Sequence, residues 1–186
     1  STFFAILYKK GRGNPMEKIE HPIPPLYNEA SKILILGSFP SVKSREGRFF
    51  YHHPQNRFWK VLAAVLHQPE PQTIGEKQAF LLGNHIAVWD VIASCTIEGS
   101  SDSSIRDVTP NDLSVILSHA HISQIFCNGG TSYNYYKKYQ EPATNIPAIR
   151  LPSTSPANAA WTLPRLTDAW SSILPWLDET GTARQE

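Results

Sequence analysis

The sequence predicts an α/β protein: a three-layer α/β/α sandwich around a short, four-stranded parallel sheet. Short apolar runs, of the kind that form strands buried on both faces, stand at 32–37, 85–92, 124–128 and 147–151. Each run is followed by a segment with helical spacing or a helix-start signal. Strands alternating with helices in this way run parallel, with helices covering both faces of the sheet.

The elements follow in order. Pro-Ile-Pro-Pro at 22–25 is an extended entry, and the strand 32–37 (Lys-Ile-Leu-Ile-Leu-Gly) ends on Gly37. A long polar and basic loop spans 38–55. A helix over 57–67 follows, with Phe58, Val61, Leu62 and Val65 on one face, stopped by Pro69 and Pro71. A short helix is expected over 76–82, ending at Gly83 and Asn84. The run 85–92 is the second strand, followed by a Ser/Gly-rich loop over 94–104. Thr109 as N-cap and Pro110 at the first helical position predict a helix to about Ala120. The third strand, 124–128, closes on Gly129-Gly130, and Thr131 opens an aromatic helix through Tyr139. The fourth strand, 147–151, runs into a Pro-Ser-rich turn, and a final helix reaches about Leu174.

A chain of 186 residues has the size of one domain. With 41% hydrophobic residues, including 8 Phe, 7 Tyr and 5 Trp, it can bury a real core. The sole Met is Met16, and its context reads like an ordinary start. Residues 1–15 are therefore set aside as an extension and 16–186 taken as the single domain. No 18-residue apolar stretch predicts a membrane span, and the apolar run Phe3 to Leu7 is too short for a signal peptide. Two Cys exclude a disulfide scaffold and a four-cysteine metal or iron–sulfur site, and point to a cytoplasmic, reducing setting. No histidine pair has metal-ligand spacing, so no metal site is expected.

The formal net charge of +1 gives no global argument for nucleic acid. Its distribution is uneven: five basic residues against one acid from Lys43 to Lys60, and seven acids against two bases from Glu70 to Ala120. A local basic patch suits a polyanion, and a solvated loop explains it equally well.

In parallel sheets ligands sit outside the carboxyl ends of the strands. That brings together Gly37 to Ser41, Asp90 to Ser94, Asn128 to Thr131 and Leu151 to Asn158. No P-loop, dinucleotide fingerprint or Gly-x-Ser-x-Gly elbow occurs there. The Pro-Ser-rich turn after the fourth strand offers hydroxyls and N–H groups to phosphate. Asn128 ends a buried strand, where Asn is a poor β-former. Asn56 fits a helix N-cap at least as well as a catalytic role. Asp90, within an apolar run, needs a structural partner or a ligand. Cys95 and Cys127 read as buried thiols.

Four blocks, in order, carry a resemblance: Gly37-Ser-Phe-Pro-Ser41, Tyr51-His-His-Pro-Gln-Asn-Arg-Phe-Trp59, Phe126-Cys-Asn-Gly-Gly130 and Leu151-Pro-Ser-Thr-Ser-Pro-Ala-Asn158. Over roughly residues 30–175 the chain resembles the uracil-DNA glycosylase superfamily, and within it the hypoxanthine-DNA (deoxyinosine) glycosylase branch. The uracil-specific branches carry Asp or Asn immediately before the proline of the first motif, where this chain has Phe39. They open the second motif with His or Asn, where it has Leu151. The hypoxanthine branch places its functional asparagines at positions matching Asn56 and Asn128.

The resemblance implies cofactor-free hydrolysis of a base–sugar bond in DNA, after the damaged nucleotide is flipped into a pocket. Asn56 and Asn128 are then the catalytic candidates, with the Asn56 carbonyl holding the water. Phe39, Phe58 or Trp89 would stack on the purine, worth about 1–3 kcal/mol. Asp90, or backbone groups from there to Ile92, would read the base edge. Ser41, Lys43, Ser153 and Ser155 would hold phosphates. The expected partner is DNA bearing a deaminated base, bound by a monomer. A uracil- or xanthine-directed enzyme, a catalytically silent DNA-binding module and a flavodoxin-like small-molecule protein are the alternatives.

Overall fold

Burial on both faces decides which segments become the central sheet. The computed structural model describes residues 17–178, so the extension expected over 1–15 lies outside the described residues. In chain order these form β1 (Ile19–Glu20), β2 (Ile33–Gly37), α1 (Val42–Gly47), α2 (Phe58–Leu66), α3 (Ile74–Gly83), β3 (Ile86–Asp90), β4 (Ile92–Thr96), β5 (Arg106–Pro110), α4 (Ser114–Leu117), β6 (Gln124–Asn128), α5 (Gly130–Tyr139), α6 (Glu141–Thr144), β7 (Ile149–Leu151), α7 (Leu163–Trp170) and α8 (Leu174–Leu177). The main sheet has the order β3-β2-β6-β7, every pair parallel. Ile33, Leu34, Ile35 and Leu36 at its centre are all fully buried, as a strand covered on both faces requires. Helices flank this sheet, which gives the three-layer α/β/α architecture.

Two expectations fail together. The run 85–92 is not one strand: the chain leaves the parallel sheet at Val91 and continues as β4. That strand belongs to a separate antiparallel sheet of order β1-β4-β5. The helix expected from Thr109 is also absent. Thr109 and Pro110 close β5, paired with Ser94 and Ile92. The local Thr-Pro-Asn-Asp signal is overridden by strand pairing, and a short helix starts only at Ser114, whose N–H bonds Asp112 Oδ1 at 3.0 Å. Pro110 fits because an edge-strand terminus needs no N–H donor.

The expected polar loop over 38–55 contains α1. Its N-cap is Ser41, whose hydroxyl accepts the Ser44 N–H at 3.2 Å. Helix α3 begins earlier than expected because Thr73 and Glu76 form a capping box.

The layers lock at Trp170, fully buried on α7, whose indole N–H donates to the Pro152 carbonyl at 2.9 Å. Trp170→Ala is expected to cost about 3–5 kcal/mol in urea unfolding, because it opens a cavity and frees the turn after β7.

Candidate active site

The strand order has a switch point: from β2 the chain crosses to β3 on one side, then returns to β6 on the other. Loops leaving β2 and β6 diverge, and a crevice opens between them. A cleft of about 930 Å³ lies there, reaching from Gly37 and Asp90 to Asn128 and to the turn 152–158. That volume is at the upper end of the range for small-ligand sites.

The cleft floor is built around a missing side chain. A Cβ on Gly37 would stand 2.4 Å from Asp90 Oδ1 and 3.1 Å from the Tyr51 hydroxyl. Asp90 is buried, and its Oδ2 meets His21 Nε2 at 2.7 Å. His21 Nδ1 accepts the Ile23 N–H at 3.1 Å. Nε2 therefore carries the imidazole proton and donates it to Asp90 Oδ2. Asp90 Oδ1 takes no hydrogen bond from a described residue. Gly37→Ala is expected to push this carboxylate aside. We expect a stability loss of about 1–3 kcal/mol by urea titration, and a weaker grip on any ligand Asp90 holds.

Asn56 and Asn128 come together through a residue the sequence did not single out. Thr154, fully buried in the turn after β7, stands between them. Its N–H donates to Asn128 Oδ1 at 3.0 Å, which fixes that amide's orientation. Asn128 Nδ2 then donates to Thr154 Oγ1 at 3.0 Å. The Thr154 hydroxyl in turn donates to Asn56 Oδ1 at 2.9 Å. The Phe58 N–H also donates to Asn56 Oδ1, at 3.0 Å, so a flipped Asn56 amide would face donor against donor. Both lone pairs of the Asn56 carbonyl are thus engaged. The group left to the cleft is Nδ2, which has no partner among the described residues. This corrects the expectation that the carbonyl itself is available to a water. The Asn56 cap-like bond to Phe58 N–H coexists with its place in the cleft.

The turn 152–158 forms one wall, and Arg57 clamps it. The Arg57 guanidinium donates to the Trp161 carbonyl and, at 3.0 Å, to the Asn158 carbonyl; its N–H donates to the Thr154 carbonyl at 3.1 Å. Ser41, Ser153 and Ser155 line the cleft. Lys43 does not: it is exposed on α1, with its ammonium 3.9 Å from Glu46. Of the three aromatic candidates only Phe39 lines the cleft. Phe58 is fully buried beneath Tyr51, with rings stacked at 3.9 Å, and acts as a support. Trp89 packs away from the cleft, its indole N–H on the Ile23 carbonyl at 3.3 Å. Backbone groups from Asp90 to Ile92 are also taken. The N–H groups of Val91 and Ile92 bond Gly37 and Ser38 carbonyls, and the carbonyls of Asp90 and Val91 accept from Asn111. The Val91 and Ile92 N–H groups cannot read a base edge without breaking these bonds.

Comparison with known proteins identifies the family. The family model of the uracil DNA glycosylase superfamily matches residues 24–177. The chain belongs to the uracil DNA glycosylase superfamily. A hypoxanthine DNA glycosylase of Methanosarcina acetivorans is 30% identical over 156 residues, which is 83% of this chain and 98% of that protein. A hypoxanthine DNA glycosylase of Methanosarcina barkeri is 33% identical over 115 residues, 60% of this chain and 72% of its own. A solution NMR structure from Methanosarcina acetivorans, whose own description proposes a uracil DNA glycosylase, superposes with a TM-score of 0.73 at 28% identity. The match covers 87% of this chain and 99% of that one.

Within this glycosylase fold two further side chains face the cleft that the sequence reading passed over. Tyr51 has a left-handed φ of 49°, a backbone strain of order 1–3 kcal/mol that sets its ring over Phe58. Its hydroxyl is buried without a hydrogen bond, and burial and then the Asp90 charge drive its pKa well above the usual phenol range. Asp102 also lines the cleft as a solvent-exposed residue, with the Ser38 hydroxyl donating to its Oδ1 at 3.0 Å. Loss of water raises its pKa first, Ser38 draws it back, and the Asp90 charge raises it again. Cys95 and Cys127 are buried, with burial pushing their thiols up to about 11 and about 12. Among the described residues no three His, Cys, Asp or Glu side chains converge as a metal site, and no helix is long and apolar enough to cross a membrane.

Proposed function

We propose that this chain is a monofunctional DNA glycosylase that hydrolyses the N-glycosidic bond of a deaminated base, with deoxyinosine as its main substrate. The Asn56–Thr154–Asn128 relay, opening on a cleft roomy enough for a purine nucleotide, carries this reading. The two hypoxanthine DNA glycosylases to which the chain is similar support it.

Loss of the base passes through an oxocarbenium-like sugar. The site must hold a water near the anomeric carbon and stabilise the departing base. In this reading the Asn56 amide N–H holds the water by its oxygen, leaving a lone pair for attack. Asn128 keeps that amide aimed, through Thr154, and its own amide faces the base near Tyr51. Fixed dipoles of this kind need no reorganisation during reaction.

Asp90 Oδ1 accepts the N1–H of hypoxanthine. Adenine has a lone pair at that position, so the carboxylate repels the undamaged parent base. Phe39 packs on the flipped base. Ser41, Ser153 and Ser155 hold the flanking phosphates, with Lys43 adding charge at the rim. The two isolated, buried thiols suit a reducing cytoplasmic setting, and the chain acts as a monomer without metal or cofactor.

The test uses labelled oligonucleotides with one deoxyinosine, uracil or xanthine, single- and double-stranded, treated with alkali after incubation. Cleavage is expected to be fastest at deoxyinosine. Dominant cleavage at uracil would replace the substrate assignment, and binding without cleavage would make the chain a DNA-binding module.

A further inference from the structure

A purine that departs without help carries a full negative charge, and the floor of this cleft already holds the charge of Asp90. A proton delivered to the base would remove that conflict. Resting on the purine reading above, we propose that Asp102 is that proton donor: its carboxyl protonates N7 of hypoxanthine as the C1′–N9 bond breaks.

The position of Asp102 is constructed, although its loop is rich in serine. Ser100 Oγ accepts the Val42 N–H at 2.9 Å, and Arg45 donates to the Gly99 carbonyl at 3.1 Å. Both bonds fix the loop to α1. The Ser38 hydroxyl donates to Asp102 Oδ1 at 3.0 Å. Oδ1 is thus the accepting oxygen, and Oδ2 is the one left to carry a proton into the cleft.

Asp90 and Asp102 share one cavity, but only Asp90 is tied to an imidazole N–H. Two carboxyls set apart in this way divide into one that stays ionised and one that holds a proton. Asp90, the Tyr51 hydroxyl, the Cys95 thiol and the Thr131 hydroxyl are within electrostatic reach of Asp102, and of its partners the Ser38 and Thr131 hydroxyls favour the ionised form. Cations stand nearby: the Arg45 and Arg106 guanidiniums donate to the Gly99 and Ser103 carbonyls of the same loop, and His53 and Arg150 line the cleft. None of them forms an ion pair with the Asp102 carboxyl among the described residues.

The step balances. The proton passes from Asp102 Oδ2 to N7, the electron pair of C1′–N9 stays on the base, and hypoxanthine leaves neutral. The water oxygen bonds to C1′, and its surplus proton returns to the Asp102 carboxylate.

Single-turnover excision by the full chain, measured from pH 5 to 9, tests this on duplexes with deoxyinosine or 7-deaza-2′-deoxyinosine, which has no N7 acceptor. The donor works only when protonated, so wild-type excision of deoxyinosine should fall as pH rises through its pKa. Asp102→Asn keeps the acceptor for Ser38 and should cost about 100-fold while abolishing that pH limb. On the 7-deaza substrate, already slow, the same substitution should add less than about threefold, since energies of groups acting together do not add. Ser38→Ala removes a hydroxyl that stabilises the ionised form, so it should move the limb to higher pH. This variant and the wild-type comparison of the two substrates still decide the matter if Asp102→Asn does not fold.

Equal losses on both substrates, or an unchanged pH limb, would overturn the role of Asp102 while leaving deoxyinosine as substrate. No wild-type cleavage of deoxyinosine at any pH would overturn the functional reading and this inference with it.

Discussion

Asn56→Ala is expected to leave a folded protein whose excision of hypoxanthine has fallen by about 10²- to 10³-fold, the usual cost of deleting one preorganised donor at a reacting centre. The stability cost should be about 1–3 kcal/mol, because the Phe58 N–H and the buried Thr154 hydroxyl both lose their acceptor. The two effects therefore separate in one variant: single-turnover excision reads the first and urea unfolding the second. Excision within tenfold of wild type would reduce Asn56 to a turn residue.

Asn56→Asp asks which half of the amide matters. One carboxylate oxygen can still accept from Phe58 and Thr154, and the other replaces Nδ2 with an acceptor. If the cleft needs a donor there, this variant should be as impaired as the alanine. Retained activity would return the water to an accepting oxygen.

Much of the sheet was legible because a strand buried on both faces is apolar without interruption. β2 and β6 stand within a residue of where their runs place them, and parallel alternation then locates the cleft at the strand ends. The break at Val91 was not legible for the same reason. β3 and the start of β4 are both buried, so the apolar run 85–92 crosses the break with no turn residue in it. What ends β3 is tertiary: the Val91 N–H bonds Gly37, and its carbonyl accepts from Asn111 and Gln140. None of these partners is near in sequence. The Thr109-Pro110 signal misled because a cap is worth about 1 kcal/mol, less than several strand bonds and the burial of β4.

Site residues divide along similar lines. An asparagine ending an apolar strand is conspicuous, and so is one before an amphipathic helix. Thr154 lies between two serines, Ser153 and Ser155, in the same turn, and only the fold shows which hydroxyl turns inward. Tyr51 depends on a positive φ that no local pattern announces. Phe58 and Trp89 show the reverse error. Aromatics beside a motif look like stacking surfaces, yet here one supports Tyr51 and the other fills the core.

Thr154→Val tests the relay itself, because valine keeps the shape and deletes one oxygen. The backbone bonds of residue 154 to Asn128 and Arg57 survive. Asn128 Nδ2 loses its acceptor and Asn56 Oδ1 loses one of two donors. Leaving such groups unpaired in a buried position costs about 1–3 kcal/mol, to be read in urea unfolding. Excision should fall further than that loss of stability explains, by about 10- to 100-fold, since each asparagine then keeps only one of its two anchoring bonds. Thr154→Ser restores the oxygen and should restore both properties. Combining Thr154→Val with Asn56→Ala should cost clearly less than the two losses multiplied, because part of the threonine's action runs through a side chain already gone. Full additivity would mean that Thr154 and Asn56 serve the site separately, and the relay would be packing and nothing more.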